Sequence, residues 1–376
     1  MALDLGILKP AKYRNLELKN RISWLPAVTC LADEVGFVTD ALIERHVDRA
    51  KGGFGLIDVE ACGVTPRKSP HLLRICDDKF IPGLKEMTDA VHEHGCKMTV
   101  QLIHYVKQSW KDPQNPYKQA VEDISYEEIE EIKQQFVDST IRARKAGFDG
   151  VELHDAHGYT LSSFTSLLNK RTDKYGRNVE GRCRIVTEIM EAIRKEVGYD
   201  YCVGLRLSGE EFVKGGNTLK QTTEMAKIYA QASCDFISVS AGGKTEDGPW
   251  YTGYSGDRCM CTANLPYGCH VYLAEGIKKA LRSIGADDVP VIASGKIDTL
   301  QRGEEIFVNG QADIIGYCRP GIADPDFVVK QVEGREKELI KCVYCNGCLE
   351  RDQRHEVVNC VIRDKVLEAQ AKKNQQ

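Results

Sequence analysis

Short apolar runs alternate with longer amphipathic stretches along most of this chain. Eight apolar runs predict β-strands over residues 21–25, 55–60, 97–102, 148–153, 201–207, 236–240, 289–293 and 312–317. Between them, apolar residues recur at helical spacing. This spacing predicts helices over residues 39–51, 81–94, 125–146, 180–197, 218–233, 272–284 and 299–309. Repeated strand-then-helix units are typical of the α/β class, and of a (β/α)8 TIM barrel in particular.

Local signals at helix ends support these boundaries. Ser125 and Glu128 have the spacing of a capping box, and Gly95 and Gly147 stand where a helix C-terminus favours glycine. An open, doubly wound sheet would show the same alternation of strands and helices. However, no Gly-x-Gly-x-x-Gly sequence follows an early strand, which disfavours the dinucleotide-binding version of that fold.

The composition changes after the last predicted strand. Charged residues dominate residues 333–341, and a cluster of cysteines follows. We therefore expect two parts, a barrel domain over residues 1–335 and a short cysteine-rich segment over residues 336–376. The last residues, 368–376, are polar and are predicted to be irregular.

Charge and composition exclude several classes of protein. The net charge of −4 and the pI near 6.2 give no basis for binding nucleic acid or an anionic membrane. No run approaches the ~18 apolar residues of a membrane helix, and the first 20 residues lack a signal-peptide core. The 15 cysteines are odd in number, which argues against a disulfide framework. We expect a cytoplasmic protein that acts on a small molecule, and a homo-oligomer is compatible with the sequence.

The predicted fourth strand ends in three polar side chains, His154, His157 and Tyr159. Residues at the C-terminal end of a barrel strand face the active site. Two imidazoles and a phenol there predict a clamp for a carbonyl oxygen together with a proton donor. The alternative is an ordinary strand end whose histidines form local hydrogen bonds.

The cysteine cluster has the spacing Cys342-x2-Cys345-x2-Cys348-x11-Cys360. Three closely spaced thiolates and a distal fourth can hold a [4Fe-4S] cluster. A structural zinc site with four cysteine ligands is the alternative. A second group, Cys259, Cys261 and Cys269, is interpreted as loop packing in preference to a metal site.

At this point several motifs together resemble those of the Old Yellow Enzyme family of FMN-dependent ene-reductases. The iron–sulfur branch, with 2,4-dienoyl-CoA reductase, enoate reductase and trimethylamine dehydrogenase, is the most similar. The resemblance covers about residues 5–362, and the block from His154 to Gly176 is its most specific part. The other motifs occupy residues 18–22, 49–53, 101–104 and 319–326.

The resemblance implies FMN at the C-terminal mouth of the barrel. It places Ala61 beside the flavin ring, Gln101 at the pyrimidine edge, and Arg206 near N1 and C2=O, where a cation stabilises the anionic reduced flavin. It places the remaining cofactor contacts at Pro26, Ala27 and Val28 along the flavin edge, and at Gly295, Lys296, Cys318 and Arg319 around the phosphate.

The resemblance also implies the chemistry. His154 and His157 would bind the carbonyl oxygen of the substrate, and Tyr159 would protonate the α-carbon, since a phenol with a pKa of about 10 is protonated at neutral pH. Tyr254 lies where dienoyl-CoA reductases carry a substrate-side histidine. These roles predict an ene-reductase for enones, enoates or enoyl thioesters.

Two alternatives use the same scaffold. One is an amine dehydrogenase or demethylase, with an aromatic cage from Trp250, Tyr251 and Tyr254; the other is an electron-transfer subunit. A zinc barrel hydrolase is a third class. Larger relatives append FAD- and NAD(P)-binding domains after the cluster, and this chain ends soon after Cys360. We therefore expect electrons from a separate flavoprotein or ferredoxin, or directly from NAD(P)H.

Overall fold

A computed structural model describes residues 3–66, 70–105, 121–243, 256 and 258–374. Ten strands are found there: β1 Ala11–Tyr13, β2 Leu16–Leu18, β3 Ile22–Trp24, β4 Leu56–Gly63, β5 Lys97–Ile103, β6 Gly150–Asp155, β7 Cys202–Ser208, β8 Ile237–Ser240, β9 Val291–Ala293 and β10 Ile314–Tyr317. The last eight are all parallel and close into a barrel in the order β3 to β10, with β10 paired to β3. The predicted (β/α)8 TIM barrel is confirmed.

The helices fall between the strands as the hydrophobic spacing predicts. They are α1 Asp40–Lys51, α2 Ile81–His92, α3 Tyr126–Lys145, α4 Thr160–Thr165, α5 Val179–Val197, α6 Leu219–Gln231, α7 Val271–Arg282, α8 Leu300–Val308, α9 Arg319–Ala323 and α10 Phe327–Val332. Ser125 and Glu128 form both hydrogen bonds of the predicted capping box, which stabilises the start of α3. The short helices α4, α9 and α10 were not predicted.

A two-stranded hairpin precedes the barrel and was also missed by the hydrophobic pattern. β1 and β2 pair antiparallel, with Ala11 opposite Leu18. Leu16 and Leu18 are buried against Leu56 and Ile314, which lie near the starts of β4 and β10. The hairpin therefore closes the N-terminal end of the barrel, and the opposite end carries the site.

The cysteine-rich segment packs on that opposite end. It contains α11 Gly347–Gln353 and α12 Val361–Asn374, so the prediction of an irregular end at residues 368–376 is wrong as far as Asn374. Val358 is buried in the core of the barrel, and its N–H donates to the carbonyl of Thr29 at 2.9 Å. Arg45 donates to the carbonyl of Val358, also at 2.9 Å. In the described part of the chain, no helix is long and apolar enough to cross a membrane.

Candidate functional site

A cavity opens at the C-terminal ends of the barrel strands. The predicted residues that line it are Pro26, Val28, Ala61, Gln101, His154, His157, Tyr159, Arg206, Gly295, Lys296, Cys318 and Arg319. They come from strands far apart in the sequence, and the barrel brings them together. Ala27 is half-buried against the hydrophobic core and is absent from this lining. Tyr254, Trp250 and Tyr251 lie outside the described residues.

The three polar groups at the end of β6 form one cluster. The ring of His154 lies 5.0 Å from that of His157 and 4.9 Å from that of Tyr159, measured between centroids. Nε2 of His157 is 2.6 Å from the hydroxyl of Ser240, at the end of β8. The ring of Tyr105 packs edge-on against Tyr159 at 5.3 Å. Each ring therefore has a neighbour that fixes its orientation towards the cavity.

The backbone of His157 adopts a conformation that L-residues rarely use, with φ of +63°. It forms an isolated bridge with Gly243, and a Cβ added to that glycine would lie 2.3 Å from the Cα of His157. The N–H of His157 also donates to the Ser208 hydroxyl at 3.2 Å. Such backbone strain persists only where the surroundings enforce it, and it concentrates at functional sites. A glycine is required at position 243 for His157 to hold this position.

Beneath the cavity lies a buried polar layer that the sequence did not reveal. Nε2 of Gln101 donates to Glu152 at 2.7 Å, and Thr99 donates to Asp58 at 2.8 Å. Burial raises the pKa of Asp58 well above its ordinary value, and the neighbouring charge of Glu152 raises it further. Burial also raises the pKa of Glu152, against the opposing effect of the positive Arg206. Asp58 and Glu152 therefore meet in a buried layer in which the positive charge of Arg206 acts on both carboxyl groups.

This layer fits the pyrimidine side of a flavin. With its amide nitrogen directed to Glu152, Gln101 presents its amide oxygen as an acceptor for a ring N–H. Arg206 donates to the Ser238 hydroxyl at 2.8 Å and lines the cavity as well. The hydrogen bond to Ser238 therefore fixes the position of the positively charged Arg206 before a ligand binds.

The opposite side of the cavity carries the cations expected at a phosphate. Gly295 and Lys296 both have positive φ, +104° and +54°. The ammonium of Lys296 donates to the carbonyls of Ala263, at 2.8 Å, and Leu265. Arg319 donates to the carbonyl of Cys261 at 2.6 Å. Lys296 and Arg319 thus hold the segment that precedes α7. Both also line the cavity, where their positive charges would neutralise a bound phosphate.

The cysteine-rich segment completes one wall of the cavity. Tyr344 and Asp352 line it, although no signal in the sequence marked either residue. The guanidinium of Arg319 lies 4.7 Å from the centre of the Tyr344 ring and 2.6 Å from the side-chain oxygen of Asn346. Tyr344 and Asn346 both have positive φ, so the loop between the cysteines turns sharply.

Three of the four predicted cluster ligands, Cys342, Cys345 and Cys348, lie in or beside this loop, and Cys360 immediately precedes α12. Burial raises the pKa of Cys342 to about 11, and the charges of Cys345 and Cys360 contribute to that shift. Burial likewise raises the pKa of Cys348 to about 12, with a contribution from Cys342. The N–H of Tyr344 lies 3.4 Å from Sγ of Cys342, as in loops that donate hydrogen bonds to ligating sulfur. Cys342 is thus within electrostatic range of the other three cysteines, an arrangement that fits a cationic centre that would offset the charge of four thiolates.

The fold and the cavity together define a class of protein: a TIM-barrel enzyme with a polar cofactor site at the strand ends, flanked on one side by imidazoles and a phenol. Comparison with known proteins makes this class specific. Residues 6–338 match the model of the NADH:flavin oxidoreductase / NADH oxidase family. The chain belongs to this family of FMN-binding oxidoreductases, and the predicted resemblance to the Old Yellow Enzyme family is confirmed.

Individual relatives extend the match beyond the barrel. The chain is 38% identical to an NADH oxidase of Thermoanaerobacter brockii over 362 residues, covering 92% of this chain and 53% of the relative. It is 30% identical to a cinnamate reductase of Clostridium sporogenes, covering 94% and 56%. The solved structure of a 2-naphthoyl-CoA reductase bound to 2-naphthoyl-CoA superimposes with a TM-score of 0.82 at 28% identity, covering 95% and 56%. The chain thus spans about half the length of the curated relatives it matches here.

Proposed function

We propose that this protein reduces a carbon–carbon double bond conjugated to a carbonyl group. The observation that carries the proposal is the cluster of His154, His157 and Tyr159 on one strand end, facing the same cavity as Gln101 and Arg206. FMN, when bound between these two groups, supplies the hydride for the β-carbon. Enone, enoate and enoyl thioester substrates all develop negative charge on the carbonyl oxygen during this transfer.

The two histidines are suited to bind that oxygen. Their rings are in T-shaped contact, with centroids 5.0 Å apart, and both line the cavity, so one oxygen atom in the cavity can accept hydrogen bonds from both. The Ser240 hydroxyl holds His157 from behind at 2.6 Å, so the ring does not need to reorganise as charge develops. One such donor typically contributes ~2.7–4 kcal/mol to stabilisation of the transition state.

Tyr159 is suited to donate the proton. It stands next to His154 and therefore next to the α-carbon of a substrate whose carbonyl oxygen is bound there. Ala61, Leu72 and Ile103 form a buried apolar cluster against which Val28, Tyr105 and Tyr159 pack. This contact fixes the ring of Tyr159 at the wall of the cavity.

The relatives support the same chemistry. The names of the cinnamate reductase and of the 2-naphthoyl-CoA reductase state that those proteins act on conjugated carbonyl compounds, an acid and a thioester. Both matches include the strand end with the two histidines and the tyrosine, since they cover more than nine-tenths of the chain. We therefore place the substrate of this protein in the same chemical class.

We further propose that Cys342, Cys345, Cys348 and Cys360 hold a [4Fe-4S] cluster. Thiolates that share one zinc ion lie ~3.8 Å apart, because Zn–S bonds are ~2.3 Å long. A cluster binds each thiolate to a different iron and spaces the sulfur atoms more widely. Among the residues that the structure describes, no three of these cysteines have sulfur atoms that all lie within 4.8 Å of one another, as ligands of one ion would. This wider spacing favours the cluster. A one-electron carrier at the cavity wall suits supply by a ferredoxin or flavoprotein, with NAD(P)H as the direct alternative.

The test separates the two half-reactions of the purified, anaerobic holoprotein. In Tyr159→Phe, reoxidation of the reduced flavin by cinnamate or an enone is expected to slow ~10²–10⁴-fold, the usual contribution of a positioned general acid. Reduction of the flavin by NAD(P)H or dithionite should keep its rate, because no proton is donated to a substrate in that step. Stopped-flow absorbance of the flavin measures both rates.

Tyr105→Phe is the matched control, since it removes a neighbouring phenol from the same apolar cluster and should leave both rates within a few fold. Equal loss of both half-reactions in Tyr159→Phe would show a structural role for the tyrosine. Rapid reduction of the flavin by N-methylated amines, with no reoxidation by any conjugated carbonyl compound, would replace the proposal with an amine dehydrogenase.

A further inference from the structure

A second group of metal-binding side chains lies beside the cavity, on the segment between β8 and α7. Sγ of Cys261 is 3.4 Å from Sγ of Cys269, and it is 3.8 Å and 3.7 Å from the two ring nitrogens of His270. One ligand atom from each of the three residues falls within 4.8 Å of the others. Cys261 and His270 also line the cavity.

These distances match the spacing of ligands around a single zinc ion. Zinc binds thiolate sulfur at ~2.3 Å and imidazole nitrogen at ~2.0–2.1 Å in tetrahedral geometry. Neighbouring ligand atoms in such a site are therefore separated by roughly 3.5–3.8 Å. The pattern of two thiolates and one imidazole is also one that zinc prefers, and a zinc site with three protein ligands leaves a fourth position for water.

The local backbone holds the three ligands in place. His270 is buried and immediately precedes α7, and the N–H of Leu273 in the first turn of that helix donates to the carbonyl of His270 at 3.0 Å. Gly268 donates to the carbonyl of Lys296 at 3.2 Å, which ties the segment to the loop after β9. A Cβ on Gly295 would lie 2.8 Å from the ring of His270, so only a glycine there leaves room for the imidazole.

Two basic side chains hold the backbone of this segment. Arg319 donates to the carbonyl of Cys261 at 2.6 Å, and the ammonium of Lys296 donates to the carbonyls of Ala263, at 2.8 Å, and Leu265. The backbone that carries the two sulfur atoms, 3.4 Å apart, is therefore fixed at Cys261 and at the residues that follow it.

We propose that Cys261, Cys269 and His270 form a structural zinc site, separate from the cysteines of residues 342–360. Each thiol that binds the ion releases its proton to solvent, and the imidazole binds in its neutral form. Water or Cys259, which lines the same cavity, completes the coordination. The ion fixes the segment of residues 258–270 against the cations Lys296 and Arg319. The proposal is independent of the flavin reaction and of the iron–sulfur cluster.

The test is metal analysis of the full-length holoprotein, expressed with zinc sulfate in the medium and dialysed without chelator. We expect ~1 zinc per chain in the wild type. The double variant Cys261→Ser/Cys269→Ser should lose that zinc and retain the iron of the wild type. Cys76→Ser removes a half-buried cysteine outside both groups and should keep the zinc. Zinc X-ray absorption of the wild type should show two sulfur ligands and at least one imidazole.

Two further measurements keep the proposal falsifiable if the double variant folds poorly. Cys269→His substitutes one zinc ligand for another and should retain zinc, with one sulfur ligand replaced by nitrogen in the absorption spectrum. In the wild type, removal of zinc by a chelator should expose Cys269 to iodoacetamide, and added zinc sulfate should protect it again. A wild-type protein that neither contains nor takes up zinc would refute the site.

Other outcomes would also overturn the assignment. Zinc that is lost in Cys348→Ser but kept in the double variant would belong to the cysteines of residues 342–360. A disulfide between Cys261 and Cys269 in zinc-free protein purified under reducing conditions would replace a metal site with a redox-active pair.

Discussion

Asp155 provides a quantitative test of the electrostatics at the end of β6. Asp155 lies between His154 and His157 in the sequence, and its side chain is almost completely buried. The hydroxyls of Thr165 and Tyr229 each donate to its carboxyl group at 2.8 Å. Burial raises its pKa from the ordinary 3.8 to about 7. Among the described groups that act on Asp155, the charged one is Glu211, which raises the pKa further, so the folded protein favours the neutral acid below about pH 7.

The sign of the effect follows from this shift. A carboxyl whose pKa is higher in the folded state binds its proton more tightly there, so it stabilises the fold most at low pH. That contribution is lost as the pH rises from about 4 to about 7. A pKa difference of roughly 3 between the folded and unfolded states corresponds to about 4 kcal/mol of stability at low pH. Of this stability, ~2.5 kcal/mol is lost between pH 5 and pH 8.

Asp155→Asn tests the magnitude. The amide oxygen can accept from Thr165 and the amide nitrogen can donate to the Tyr229 hydroxyl, so asparagine imitates the neutral acid at every pH. The free energy of unfolding of this variant, relative to wild type, is expected to increase by ~2.5 kcal/mol from pH 5 to pH 8. Urea denaturation followed by circular dichroism at both pH values measures the difference.

Asp78→Asn is the matched control. Its carboxylate is exposed and pairs with Arg142 at 2.7 Å, an interaction that lowers its pKa. This substitution should show no increase in relative stability between pH 5 and pH 8. A difference between wild type and Asp155→Asn that stays constant with pH, or that changes in the opposite direction, would refute a neutral Asp155.

The other predictions concern the cofactors and the strained histidine. Glu152→Gln should leave the charge of Arg206 uncompensated and raise the flavin reduction potential by on the order of 30 mV, equivalent to 1.4 kcal/mol for two electrons, in a redox titration with a reference dye; an unchanged potential would show that the arginine is not near the flavin. Gly243→Ala should displace His157 and lower kcat/KM for a conjugated carbonyl substrate at least ~10-fold with flavin content retained, the scale of losing part of one oxyanion donor; wild-type kinetics would contradict the need for glycine. Cys348→Ser should reduce iron content and remove the signal of the reduced cluster in electron paramagnetic resonance, with FMN still bound; full iron content would exclude this cysteine as a ligand.

Much of the architecture was accessible from the sequence because barrel strands and helices carry strong periodic signals. The eight barrel strands were placed by apolar runs that the closed sheet buries on both faces. The hairpin of β1 and β2 was not predicted, because three-residue strands have too few positions to show an alternation of apolar and polar residues. The C-terminal helix α12 was not predicted because its apolar residues, such as Val361, Val366 and Leu367, do not form a stripe along one face.

The site was predicted unevenly for a similar reason. His154, His157 and Tyr159 stood out because they are polar residues at the end of an apolar run, whereas Gln101 and Arg206 were predicted from the family resemblance. Asp58 and Glu152 lie inside their strands, and a sequence does not show that two carboxyls from different strands meet within a barrel. The contact of Cys261 with Cys269 depends on a chain reversal that no spacing rule specifies.

The position of Tyr344 and Asp352 in the cavity wall has a consequence for biosynthesis. Both follow the barrel strands in the chain, so they leave the ribosome after the strands that face them. The cofactor pocket is therefore incomplete on the nascent chain, even after β10 has closed the barrel against β3. Stable flavin loading must therefore follow the synthesis of residues 342–352, and a chain cut before residue 342 would form a barrel with one side of its pocket open to water.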